Sequence, residues 1–205
     1  KKISLGSRCS KLIAIALTSS ILLGCTSIGR LGENINTPAP NESIYILGLS
    51  PENHRALIFP GEMVGENYHQ DMWRPASFYG SATDGYIIGK AKAGDFLGIV
   101  GIMSTESDRS LYGAQFGACG DQKTITFRAK PGGVVYIGDV SFKRGDKGLQ
   151  FLISQDFNRA KTYLDRMHPK LAATVVHSEF ELRKTGQPCE KKNTTLYVPI
   201  YIPKR

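Results

Sequence analysis

No stretch of this 205-residue chain is long and apolar enough to cross a bilayer as a helix, which takes about 20 apolar residues. The nearest approach, Leu12 to Leu23, is shorter and is broken by Thr18-Ser19-Ser20. Lysine and arginine are nowhere gathered into a cluster interleaved with aromatics, which speaks against nucleic-acid binding. The four histidines, His54, His69, His168 and His177, fall at no spacing typical of a metal motif. Gly80-Ser81-Ala82 lacks the Gly-x-Ser-x-Gly elbow of a serine hydrolase, and the glycine-rich stretches lack a phosphate-loop pattern. No carboxylate pair stands out among the 18 acids: Asp84 and Asp95 flank a turn, and turn formation explains both. These absences leave no catalytic residue, metal or cofactor to assign, and the chain is read as not an enzyme.

What is present begins with basic residues at Lys1, Lys2, Arg8 and Lys11, then the short apolar run, then Leu22-Leu23-Gly24-Cys25. A charged start, an apolar stretch of this length and a small residue before a cysteine are the layout of a bacterial lipoprotein signal. On this reading the chain is cut between Gly24 and Cys25, and Cys25 is acylated. Each buried CH₂ contributes about 0.8 kcal/mol, so several acyl chains make a lasting membrane anchor. Thr26, rather than Asp, follows the cysteine and points to the outer membrane. Cys9 is lost with the leader. Taking the four leader cations from 26 Lys and Arg leaves 22 against 18 acids, a net charge of +4, which is ordinary for a water-exposed domain. Residues 26–42, with Pro38, Pro40 and no periodicity, read as a flexible tether.

Beyond Glu42 the chain shows short apolar bursts between glycines, the pattern of many strands and turns. Ser43–Leu49 and His54–Phe59 are expected as strands around Ser50-Pro51-Glu52-Asn53, the second ending at Pro60-Gly61. Residues 61–76 read as an irregular loop whose Tyr68 and Trp73 fold back over the core edge. Asp84–Ala91 and Asp95–Met103 read as a hairpin around Lys92-Ala93-Gly94, the second arm being central because it is apolar on both faces. A short strand precedes Cys119. Lys123–Ala129 is predicted to turn at Lys130-Pro131-Gly132-Gly133 into Val134–Lys143, with Val134, Tyr136, Val140 and Phe142 inward and Asp139, Ser141 and Lys143 outward. Ala91-Lys92-Ala93-Gly94 and Ala129-Lys130-Pro131-Gly132 use the same turn chemistry. The Arg144-Gly145-Asp146 tripeptide lies at a hairpin tip, where turn composition accounts for it; Leu149–Ser154 follows as a strand.

Asp156 is the expected N-cap of the single helix, near residues 156–168, with Phe157, Ala160, Leu164 and Met167 on one face and Pro169 ending it. Arg159, Lys161, Asp165 and Arg166 form its mixed outer face, read as solvated, with binding to an acidic surface as the alternative. Thr174–Leu182 reads as a strand with Val176, Phe180 and Leu182 inward, and Thr195–Ile202 as an edge strand because Pro199 cannot donate to a ladder.

Once Cys25 is acylated, Cys119 and Cys189 are the remaining thiols, and in an oxidising periplasm they are expected to pair as a disulfide. The competing reading makes Cys119 a nucleophile served by one of the four histidines.

The run Phe127-Arg128-Ala129-Lys130-Pro131-Gly132-Gly133-Val134-Val135-Tyr136-Ile137-Gly138-Asp139 resembles that of uncharacterised lipoproteins of Gram-negative bacteria. The similarity extends over roughly Asp84 to Cys189, through the helix ending at Pro169. It implies a secreted β-sandwich and transfers no catalytic residue.

The expected fold is mainly β: an antiparallel β-sandwich, Ig-like or transthyretin-like, with a small barrel as the alternative. The organisation is signal peptide 1–24, tether 25–42 and β domain 43–205. The expected function is a lipid-anchored, non-catalytic binding or assembly module with an envelope protein as partner; a periplasmic hydrolase using Cys119 or a loop carboxylate is the alternative.

Overall fold

A computed structural model describes residues 28–32, 35–105, 114–145 and 148–189. Twelve strands and two helices lie among them. In chain order they are β1 (Glu42–Ser50), β2 (His54–Val64), β3 (Asn67–Gln70), β4 (Phe78–Ser81), β5 (Tyr86–Lys92), β6 (Phe96–Ser104), β7 (Ala114–Phe116), β8 (Lys123–Arg128), β9 (Val134–Gly145) and β10 (Gly148–Ser154). Helices α1 (Phe157–Met167) and α2 (Pro169–Ala172) follow, then β11 (Val175–His177) and β12 (Glu181–Lys184). The region expected as a final strand, 195–202, lies outside the described residues, as do Gly24 and Cys25.

The strands form two sheets. One runs β10-β9-β1-β5, with β11 on the free side of β9; the other contains β4, β2, β3, β12, β8, β6 and β7. Because β2 pairs with both β3 and β6, the strands β2-β3-β12-β8-β6 close into a five-membered ring. Tyr68 packs against this ring from β3. Its hydroxyl donates to the Phe59 carbonyl at 2.7 Å, and a Cβ on Gly61 or Gly98 would sit 2.7 Å from its ring. Side-chain-free positions on β2 and β6 are what let a tyrosine lie across them.

The sheets are mixed rather than antiparallel: β1 runs parallel to β9, β11 parallel to β9 and β12 parallel to β3. The reason lies in the turns. Both Ala-Lys-x-Gly segments are crossings between sheets, not hairpins. β5 pairs with β1 in one sheet while β6 pairs with β2 and β8 in the other, and β8 and β9 are likewise divided. The two crossings lie side by side, with Gly94 N–H donating to the Ala129 carbonyl at 2.8 Å. Gly94 (φ 83°) and Gly132 (φ 61°) supply the left-handed backbone each needs. The chain leaves at the Lys92 end of β5, opposite Glu42, and re-enters at Val134, opposite Ile44, so β9 starts from the same end of the sheet as β1 and runs parallel to it.

One core lies between the sheets. Tyr45, Leu47 and Leu49 of β1 and Val135, Ile137 and Val140 of β9 share it with Ile58, Leu97, Ile99, Ile125 and Phe127 of the other sheet. A second cluster covers the opposite face of the first sheet, where Ile44, Ile46, Val134 and Tyr136 meet Ala160, Tyr163 and Leu164 of α1. β1 and the start of β9 are thus buried on both faces, which explains their nearly continuous apolar runs.

Several local expectations are corrected. β2 continues through Pro60-Gly61 to Val64, and β3 occupies part of the stretch read as irregular. Tyr68 is buried, but Trp73 is 96% exposed and covers nothing. The segment 174–182 splits into β11 and β12, one in each sheet; Val175 is buried and Val176 exposed. In α1 the buried stripe is Ala160, Tyr163 and Leu164, with Met167 turned toward solvent. Pro169 ends α1 and opens α2, a second helix beyond the one expected. The segment read as a tether is docked where it is described. Ile28 pairs with Tyr79, Leu31 and Ile35 pack on the helix-side cluster, and Asn36 accepts from Lys170 at 3.1 Å.

Candidate functional site

The densest polar arrangement is built on the Tyr136-Ile137-Gly138-Asp139 run. In a regular strand residues three apart point to opposite faces. Gly138, at φ 145°, carries a bulge where the β1–β9 register slips. The slip turns Val140 and Phe142 into the inter-sheet core while Asp139 joins Tyr136 on the helix side. Asp139 is therefore buried, not outward, and the single-face alternation expected for β9 fails at this residue.

The carboxylate is held from several directions. Tyr136 donates its hydroxyl to Asp139 Oδ2 at 2.6 Å. The backbone N–H of Asp156 lies 2.9 Å from the Tyr136 hydroxyl oxygen and 3.2 Å from Asp139 Oδ2. Arg159 Nη2 approaches Asp139 Oδ1 at 3.4 Å, and its Nε donates to the Tyr86 hydroxyl at 3.0 Å. Asp156 is the N-cap of α1, accepting from Arg159 N–H at 3.0 Å. The network thus bolts the first turn of the helix to β9. Gly48 of β1 makes room for it: a Cβ there would overlap the Asp139 carboxylate.

Beside the network an open groove of about 760 Å³ runs between α1 and the turns after β1 and before β5. Tyr86 and Tyr163 stack along its wall, ring centres 4.6 Å apart and planes 25° from parallel. Arg159 and Arg166 stand at its rim, Arg166 pairing with Asp84 at 3.3 Å. Burial pushes the Tyr86 phenol up, with the Arg159 hydrogen bond pulling the other way. Burial also raises Tyr163, and the Tyr86 hydrogen bond raises Arg159. The tyrosines stay neutral and the arginine charged at any physiological pH. The groove therefore offers guanidinium and hydroxyl donors with a flat aromatic wall, a surface suited to holding an anionic or polar group.

The remaining sequence candidates are dispersed. The Cys119 and Cys189 sulfurs are at bonding distance, with Cα atoms 4.9 Å apart. In that state Cys119 has no thiol to attack with. His54 is buried on β2, bonded to Asn53 at 2.9 Å and stacked on Phe142, and burial lowers its pKa. His69 lies on β3, His168 caps α1, and His177 on β11 meets the rings of Tyr136 and Phe157. Among the described residues no group of three His, Cys, Asp or Glu could hold a metal ion, and no helix is long and apolar enough to cross a membrane. Asp95 is taken up by two hydrogen bonds from Arg74, at 3.0 and 2.6 Å. The Arg159 groove was missed in the sequence because its walls come from β5, the β1–β2 turn and α1. The signal the sequence held was the helix face carrying Arg159 and Arg166, both of which stand at the groove.

Compared with models of protein families, with curated proteins and with solved structures, the chain matches none.

Proposed function

We propose that this protein is an outer-membrane lipoprotein anchored through lipid on Cys25, whose β domain serves as a non-catalytic binding or assembly module for another envelope protein. The observation that carries the reading is the Leu22-Leu23-Gly24-Cys25 sequence behind a basic start and a short apolar run. The bonded Cys119 and Cys189 sulfurs support it, since such bonds persist in oxidising compartments. The groove beside Arg159 and Arg166 is the surface we assign to the partner, as guanidinium forks favour carboxylates. Two sheets sharing one core support a β-sandwich of the Ig-like or transthyretin-like kind, though parallel β1–β9 pairing departs from the simplest form of either. The likeness to uncharacterised Gram-negative lipoproteins belongs to the same reading.

The test is the intact mass of protein extracted from membranes, taken with and without reduction before thiol alkylation. The expected result is a chain starting at Cys25 with added acyl mass, whose other two thiols alkylate only after reduction. A mass without lipid overturns the anchor; alkylation of Cys119 without reduction reopens hydrolysis through a cysteine.

A further inference from the structure

We propose that the β4 edge and the adjoining loop that carries Met72 and Trp73 form a membrane-contact surface, seating the domain on the bilayer that holds the Cys25 acyl chains. The inference rests on Cys25 being acylated and goes beyond it, since an anchor alone leaves the domain free to tumble.

The first observation is how close to Cys25 the folded domain begins. Ile28 is laddered onto β4: its N–H donates to the Tyr79 carbonyl at 2.8 Å, and Tyr79 N–H donates back at 2.9 Å. Gly29, at φ 72°, is tucked against the Ser77 carbonyl where any Cβ would collide, and Arg30 Nη2 donates to the Ser81 carbonyl at 2.8 Å. Only three residue steps separate Ile28 from Cys25. At 3.8 Å per step they span at most about 11 Å. The acylated residue sits at headgroup depth, so the β4 edge is held within that distance of it.

The second observation is what the loop leading into β4 exposes. Trp73 is 96% exposed and Met72 75%, the two most exposed large apolar side chains among the described residues. Their loop is fixed rather than dangling. Asp71 N–H donates to the Pro60 carbonyl and Ser77 N–H to the Ile58 carbonyl, both at 2.9 Å, and Arg74 is clamped on Asp95. A groove of about 350 Å³ lies beside the entering chain, with Ile28, Leu57, Phe59, Tyr79 and Met103 among its walls and Ala76 as the residue of the loop that reaches it. Tryptophan is enriched at headgroup level because its ring is apolar and its N–H is not. A rigidly presented Met-Trp pair, in the loop that runs into the strand receiving the short lipid tether, matches that environment.

Trp73 is the only tryptophan, so its fluorescence reports on this loop alone. The full membrane-extracted protein is reconstituted into phosphatidylethanolamine and phosphatidylglycerol vesicles, with and without bromine on the acyl chains, and floated. Co-flotation with emission quenched about twofold by bromolipid is the expected result for a side chain at the interface. Co-flotation with Trp73 unquenched and open to acrylamide overturns the contact surface while leaving the anchor intact. Blue-shifted emission that bromolipid does not quench also overturns it, assigning the loop to a second copy or another protein. Protein that carries no acyl mass and does not float overturns the anchor and the contact together.

Discussion

Asp139 shows how one residue can carry the connection between layers. Its carboxylate is shielded from water and depends on Tyr136, Asp156 N–H and Arg159 for its hydrogen bonds. Leaving a buried acceptor short of a donor costs about 1–3 kcal/mol. Tyr136→Phe is therefore expected to lower the free energy of unfolding by about that amount, read from urea denaturation midpoints. Tyr79→Phe is the comparison: that hydroxyl, on a partly exposed ring, donates to the weak Met103 sulfur acceptor at 3.4 Å, and its loss is expected to cost less than about 0.5 kcal/mol. Equal losses in the two variants would remove Asp139 from the account. The Tyr-Ile-Gly-Asp run was visible in the sequence, and its glycine hinted at a special backbone. The direction of Asp139 was not visible, because alternation assumes an unbroken pleat and the bulge at Gly138 reverses the faces beyond it.

Among the elements, the long strands were legible, the short β3 and β4 were not, and neither were the pairings. A run apolar on both faces marks a central strand, and β6 was legible on that ground, whereas β9 read as a strand with one face outward. A glycine-containing turn has the same chemistry whether the chain folds back beside itself or crosses to another layer. The Lys92-Ala93-Gly94 and Lys130-Pro131-Gly132 segments do the second, and the assumption of hairpins led to an antiparallel fold. The cysteines were a firmer guide, because few thiols remain to choose between. Their bond holds the chain just beyond β12, where Gly120 N–H also donates to the Gln187 carbonyl at 2.7 Å. Closing a loop of 70 residues constrains the unfolded chain by about 4 kcal/mol in the chain-entropy picture. Replacing both cysteines by serine is expected to lower stability by about 2–4 kcal/mol, with amide exchange rising first in β12. β12 has the most to lose, since a single residue pair, Lys184 with Asn67, joins it to β3 and completes the ring. Exchange that rises equally everywhere would mean that the bond steadies the chain as a whole and not the ring.

At the scale of the whole molecule, three buried tyrosines mark three different places: Tyr45 lies between the sheets, Tyr68 against the ring, and Tyr136 under the helix. Burial pushes each phenol far above its ordinary value, with the Asp139 carboxylate adding to the effect at Tyr136. In the unfolded chain these phenols ionise near pH ~10. Above that pH the unfolded state sheds protons that the folded state keeps, so stability is intact below pH ~10 and falls as pH rises beyond it. Each such group contributes a slope of about 1.4 kcal/mol per pH unit, about 4 for the three together. The protein is therefore expected to unfold steeply in alkali, and absorbance at the phenolate band should rise together with loss of the far-ultraviolet strand signal. Coincidence of the two curves is what a single cooperative unit requires. β1 gives the physical ground for expecting it: Tyr45 and Leu47 face the other sheet while Ile44 and Ile46 face the helix, so neither layer can open without exposing the strand that serves both. A phenolate signal that rises in two steps, one before the strands are lost, would show that the helix layer or the ring opens on its own.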